Sequence, residues 1–124
     1  MPSDFAVTEQ GSEGAHHVIA VRGEIDLFTA PELKRVLTEA IESGEHRVVI
    51  DLTEVTFLDS TALGVLIGGV KRLRSRDGAL AIVNTDGSIA KTFQITGLDQ
   101  IFTILPSREE ALAALDDTLD GDAA

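Results

Sequence analysis

The chain has no cysteine, tryptophan or tyrosine, and its 124 residues include only three prolines and one methionine. Without cysteine it can form neither a disulfide framework nor a thiolate metal site. Five phenylalanines are its whole aromatic content, which leaves little on which to stack nucleic-acid bases. Basic residues are scarce as well: 10 Lys and Arg stand against 21 Asp and Glu, for a formal net charge of −11. Such a surface repels phosphate backbones and argues against nucleic-acid binding. It suits solubility and attraction to a basic protein surface. Long hydrophobic runs are missing too. The longest, Ala62 to Val70, falls far short of the roughly 20 residues of a membrane helix. The N-terminal M-P-S-D-F has neither the basic segment nor the apolar core of a secretory signal. A cytoplasmic protein with no membrane partner is expected.

What is present is ordinary globular material, 44% hydrophobic and 25% charged, in a length that suits one domain with a genuine core. Phe5 to Thr8 reads as a short strand, Glu9 to Ala15 as turn chemistry, and His17 to Arg22 as a second strand, together a hairpin. After Gly23 and the crossing Glu24 to Phe28, Thr29 with Glu32 forms a candidate capping box, and Pro31 suits a first helical turn. Leu33, Val36, Leu37, Ala40 and Ile41 then share one helical face up to Ser43-Gly44. Arg47 to Leu52 has the continuous apolar character of a strand buried on both faces.

Beyond the Asp59-Ser60-Thr61 loop, Leu63, Leu66, Ile67, Val70 and Leu73 make a second helical stripe. Lys71, Arg72, Arg74 and Arg76 at its end read as solvated charge that suits the helix dipole. Ala79 to Val83 is a further strand, Thr85 to Gly97 a short helix carrying Ile89 and Phe93, and Ile101 to Leu105 the last strand. Ser107 and Glu110 open a final helix, with Ala111, Leu112, Leu115 and Leu119 inward. The order β-β-α-β-α-β-α-β-α predicts one small α/β domain with a mixed, mostly parallel sheet of about five strands and about four helices. Residues 1–4 are expected to be a flexible N-terminus, 5–115 the domain and 116–124 an acidic flexible tail holding Asp116, Asp117, Asp120 and Asp122.

Hydrolytic and metal chemistry find little support. Leu58 to Ala62, L-D-S-T-A, lacks the glycines of a nucleophile elbow. His16 and His17 are adjacent in a strand and point to opposite faces, while His46 lies in a turn, so none has an evident route to Ser60. The carboxylates are scattered rather than spaced as a calcium loop. Gly64, Gly68 and Gly69 form no phosphate-cradling motif and read instead as a place where a backbone or partner approaches the helix closely. Ser60 itself is open to two readings. Asp59 or Ser60 caps the helix and does nothing more, a cap being worth about 1 kcal/mol. Alternatively the small residues Ser60, Thr61, Ala62 and Gly64 leave an accessible hydroxyl at a helix N-terminus, suited to carrying a phosphate.

Four blocks in order, G-E-I-D-L-F-T-A-P-E-L (23–33), V-I-D-L (49–52), F-L-D-S-T-A-L-G-V-L (57–66) and F-Q-I-T-G-L (93–98), resemble the bacterial anti-anti-sigma factors of the STAS-domain family. The similarity extends from about Phe5 to Leu115. It implies a monomeric, non-enzymatic, partner-switching regulator of sigma factors in stress or developmental responses. In its unmodified form it would bind an anti-sigma factor that is also a serine kinase, freeing the sigma factor. Phosphorylation of Ser60 would release the partner, and a PP2C-type phosphatase would reset it. ATP and magnesium belong to the kinase; no cofactor is implied for this chain. Carried over position by position, Asp59 flanks the acceptor, Asp26 matches an acidic position beside it, and Thr61 matches a neighbouring hydroxyl residue. Ala62 stands where the family usually has glycine, so its methyl is expected to bear on kinase fit, and Gly64 completes the recognition set. The alternative implied is a STAS scaffold or ligand-binding module without a working phosphoswitch.

Overall fold

The computed structural model describes residues 4–13 and 16–123, with side chains of 11–13 and 117–123 outside the description. Five strands form one sheet: β1 (Ala6–Glu13), β2 (His16–Ile25), β3 (Arg47–Leu58), β4 (Ala79–Val83) and β5 (Thr103–Leu105). They lie side by side in chain order, β1 antiparallel to β2 and every later neighbour parallel. Helices α1 (Ala30–Glu42), α2 (Ser60–Arg74) and α3 (Gly87–Thr96) connect successive parallel strands, and α4 (Arg108–Ala123) closes the chain. This is the single α/β domain that the element order predicts.

The alternation of side chains along each strand divides the core into two layers. Ile19, Val21, Val48, Ile50, Leu52, Leu80 and Ile82 face α1, α2 and α3, where Phe93 meets Phe102 edge-on at 5.4 Å. Val18, Val49, Ala81 and Val83 face the other way and are covered by Ala111 and Leu115 of α4. Strands covered on both faces need continuous apolar runs, which is why Val48 to Leu52 is buried throughout. The one charge in that run, Asp51, faces α4 and accepts from Arg108 at 2.6 Å.

Several element boundaries differ from expectation. β1 runs on through Glu9 and Gln10, read above as turn, because Glu9 pairs with Ile19 and pairing resumes at Ser12 after a register shift that takes up Gln10. β2 extends to Ile25 and β3 to Leu58, since the two pair in parallel over their whole length. Gly23 makes the extension possible: at φ +90° its register shifts, and a Cβ there would sit 2.9 Å from the backbone of Phe5. The last strand begins only at Thr103, preceded by a 3₁₀ turn at Leu98–Gln100. α4 continues to Ala123, and Asp116, counted with the tail, accepts from His16 at 2.8 Å. Residues 1–3 and the Leu119 side chain lie outside the described residues.

Candidate functional site

The extended β2–β3 pair carries two chain crossings to the same end of the sheet. Ile25 pairs with Leu58, and the Asp59 N–H donates to the Ile25 carbonyl at 3.1 Å. The 26–29 loop therefore lies beside the start of α2, at the carboxyl ends of parallel strands, where open α/β sheets place their sites.

At α2 the two capping candidates are resolved. Asp59 is the N-cap, in extended conformation, and its Oδ1 accepts from the Ala62 N–H at 3.1 Å. Ser60 is the first helical residue and is exposed. Its hydroxyl makes no side-chain hydrogen bond among the described residues. The helix start thus has its capping carboxylate supplied by a neighbour, and the serine oxygen is left to solvent.

The loop opposite is held by Asp26. Its Oδ1 accepts from the N–H groups of Phe28 (2.9 Å) and Thr29 (3.0 Å). These bonds, led by the one from the Thr29 N–H, hold its pKa below the ordinary carboxylate value. The capping box expected at Thr29 and Glu32 does not form. The Thr29 hydroxyl instead donates to the Glu24 carbonyl at 2.7 Å and accepts from the Asp26 N–H at 2.8 Å, while Glu32 is taken by Arg35 at 2.8 Å. A threonine that stitches its own loop has no hydroxyl left for the helix.

That stitched loop displays apolar side chains. Leu27 is 62% exposed and Phe28 86%, and Phe57, on the neighbouring end of β3, is 50% exposed. All three stand at the same end of the sheet as Ser60. The sequence reading placed Leu27 and Phe28 in the crossing to the first helix and Phe57 in a motif block, and gave none of them a binding role. Their signal was an apolar pair placed between a turn-forming aspartate and a helix start, where no core position is available.

The remaining candidates part ways. Thr61 is half-buried at the edge of the space between α1 and α2, and Gly64 is exposed. Ala62 is fully buried, so its methyl faces the core rather than the surface a kinase would meet. What Ala62 offers the site directly is its N–H, which donates to Asp59 Oδ1. The basic cluster ending α2 is also more than solvated charge. Arg72 donates to Thr38 and Glu42, and Arg76 to the Ile41 carbonyl and Glu42, tying α2 to the end of α1.

The histidines sit at the far end of the sheet. His16 pairs with Arg47 at the start of β3, and His17 is buried against Glu9 at 2.9 Å. Ser60 follows the end of β3, about 35 Å away at roughly 3.3 Å per residue. A serine–histidine hydrolytic pair is therefore geometrically excluded. Among the described residues no helix is long and apolar enough to cross a membrane.

A sheet of this order with these helices is the fold of a recognised class. A family model described as STAS domain matches residues 7–111, and the chain belongs to that family. Its relatives there include the anti-sigma-B factor antagonist of Listeria monocytogenes, 44% identical over 90 residues covering 72% of this chain and 78% of the relative. The protein of the same name from Staphylococcus aureus is 33% identical over 96 residues, 77% of this chain and 89% of the relative. Among solved structures, an anti-sigma factor antagonist from Mycobacterium paratuberculosis superposes with a TM-score of 0.86 at 28% identity, covering 94% of this chain and 98% of that one.

Proposed function

We propose that this chain is an anti-sigma factor antagonist whose binding is switched by phosphorylation of Ser60. Unphosphorylated, it binds an anti-sigma factor that is also a serine kinase, and so frees the sigma factor. The kinase, carrying its own ATP and magnesium, transfers phosphate to Ser60; a PP2C-type phosphatase removes it. The chain itself catalyses nothing and acts in the cytoplasm as a monomer.

The observation that carries this function is the uncapped, exposed Ser60 hydroxyl at the first position of α2, with Asp59 doing the capping. An oxygen already committed to the helix backbone would have to break that bond to be phosphorylated; this one does not. A phosphate there brings about −1.5 to −2 charges. Helix N–H groups and the dipole favour it by about 0.3–1 kcal/mol, which the adjacent Asp59 carboxylate partly offsets. The fold therefore tolerates the modification. Binding does not, because Leu27, Phe28 and Phe57 at this end of the sheet make a surface that a partner would cover. A dianion desolvated there, or set against a like charge, costs several kcal/mol. At about 1.4 kcal/mol per tenfold in affinity, that suffices to release a complex.

Calorimetric titration of the anti-sigma kinase with wild type and Ser60→Asp tests the switch. The expected result is at least tenfold weaker binding by Ser60→Asp with an unchanged melting temperature. Equal affinity for wild type, Ser60→Asp and the phosphorylated protein would favour a scaffold without a phosphoswitch.

A further inference from the structure

The space between α1 and α2 is an open groove of about 510 Å³ that begins at Thr61, next to the proposed phosphoacceptor, and ends at Arg72. Its α2 side is floored by glycines of two kinds. Gly69 serves this chain's own packing, since a Cβ there would stand 2.6 Å from Leu37 Cδ2. Gly64 and Gly68 do not: a Cβ at either would meet nothing within 4 Å. Glycine is the poorest helix former after proline, and no contact inside the described fold calls for it at these two positions. The volume above them is open to something outside the chain.

The charge lining that volume runs against the character of the protein. In a chain of net charge −11, the charged residues along the groove are both cations, Lys34 and Arg72. α2 has no carboxylate between Ser60 and Arg74. On α1, Glu32 and Glu39 are bound to Arg35, which is not among the groove residues. Arg72 is already engaged by Thr38 and Glu42. Lys34 forms no ion pair among the described residues. The groove thus offers an apolar, glycine-floored channel with an uncommitted ammonium group on its α1 wall.

We propose that this groove is a second docking site for the anti-sigma factor, taking an apolar helix that carries a carboxylate opposite Lys34. The proposal rests on the partner-switching function above and names how that partner is held. A helix suits the channel because side-chain ridges pack into such inter-helix grooves at axial separations of about 8–10 Å, and glycines in the floor permit the close end of that range. An acidic residue suits it because a carboxylate reaching Lys34 across a partly desolvated interface gains more than one in water. Since Thr61 lines the groove beside Ser60, the docked helix and the switch share one continuous surface.

The test uses the full chain and an anti-sigma kinase that phosphorylates Ser60 of the wild type, titrated with ADP and magnesium present. Gly68→Leu fills the groove and Lys34→Glu reverses its charge; a Cβ at Gly68 meets nothing within 4 Å and Lys34 is exposed, so melting temperatures should hold or rise. Each variant is expected to bind at least tenfold more weakly than wild type. Wild-type affinity in both variants would overturn the groove while leaving the Ser60 switch intact. A wild type that no such kinase binds or phosphorylates would remove the partner-switching function, and the occupant proposed here with it. Sedimentation of the chain alone closes the remaining case: a wild-type dimer dissolved by Gly68→Leu would assign the groove to a second copy and overturn the proposal.

Discussion

Replacing Phe28 by alanine separates folding from binding at the site. The side chain is 86% exposed and the loop beneath it is held by main-chain bonds to Asp26 rather than by the ring. Truncation should therefore change stability by no more than about 0.5 kcal/mol, as surface substitutions do. Binding is another matter. A phenylalanine side chain presents about 150–250 Å², and at about 25 cal/mol/Å² covering the exposed share is worth about 3–5 kcal/mol. Alanine retains part of that, and association has its own entropic cost, so a loss of about 2–3 kcal/mol is expected. This corresponds to roughly 30- to 150-fold in Kd. Calorimetric titration with the anti-sigma kinase, paired with a thermal melt, measures both quantities. An unchanged Kd would remove Phe28 from the interface, and a melting temperature lowered by several degrees would show that the ring packs against the fold.

Asp59→Ala removes the cap of α2 and should cost about 1 kcal/mol, read as a melting temperature some 3–5 °C lower; no loss would mean that another group caps the helix. Ala62→Gly restores the residue usual in the family but should destabilise the fold by about 1 kcal/mol or more through helix propensity and the lost buried methyl. The rate of Ser60 phosphorylation per folded molecule should not change, and a several-fold change would return that methyl to the kinase interface. Asp51 is pushed up by burial, but the Thr53 hydroxyl and Arg108 outweigh this and hold its pKa below the ordinary 3.8. A depressed carboxylate contributes stability that is complete above its unfolded pKa and lost as pH falls through the folded one. Asp51→Asn should thus cost about 1–2 kcal/mol at neutral pH, kept modest by the 39% exposure of Arg108. The variant should also flatten the acid side of the stability curve below about pH 4; parallel acid limbs in chemical denaturation would contradict it.

The parts of the fold legible in the sequence are those where local pattern and tertiary structure agree. β4 occupies Ala79–Val83 as its apolar run indicates, and α3 lies between the Asp86 cap and Gly97 at φ 76°. β1, β2 and β3 extend past their apolar runs because cross-strand pairing carries Glu9, Glu24 and Glu54, none of which reads as strand alone. Thr29 has a sequence suited to capping, yet its hydroxyl is claimed by the Glu24 carbonyl, a partner that only the bulged β2 brings within reach. The same holds at the site. Ser60, Asp59 and the fold end they occupy followed from the strand-to-helix junction, whereas the exposure of Phe28 and the direction of Ala62 depend on how loop and helix sit against the sheet. The arginines ending α2 looked like surface charge because their acceptors, Thr38, Ile41 and Glu42, are more than 25 residues away in the chain.

The most direct test of the partner switch is the intact mass of the chain after incubation with ATP, magnesium and each anti-sigma kinase of the source genome. One added phosphate, absent in Ser60→Ala, is the predicted result. Phosphate retained in Ser60→Ala would move the switch to another hydroxyl, and no phosphate from any kinase that binds the chain would contradict it altogether.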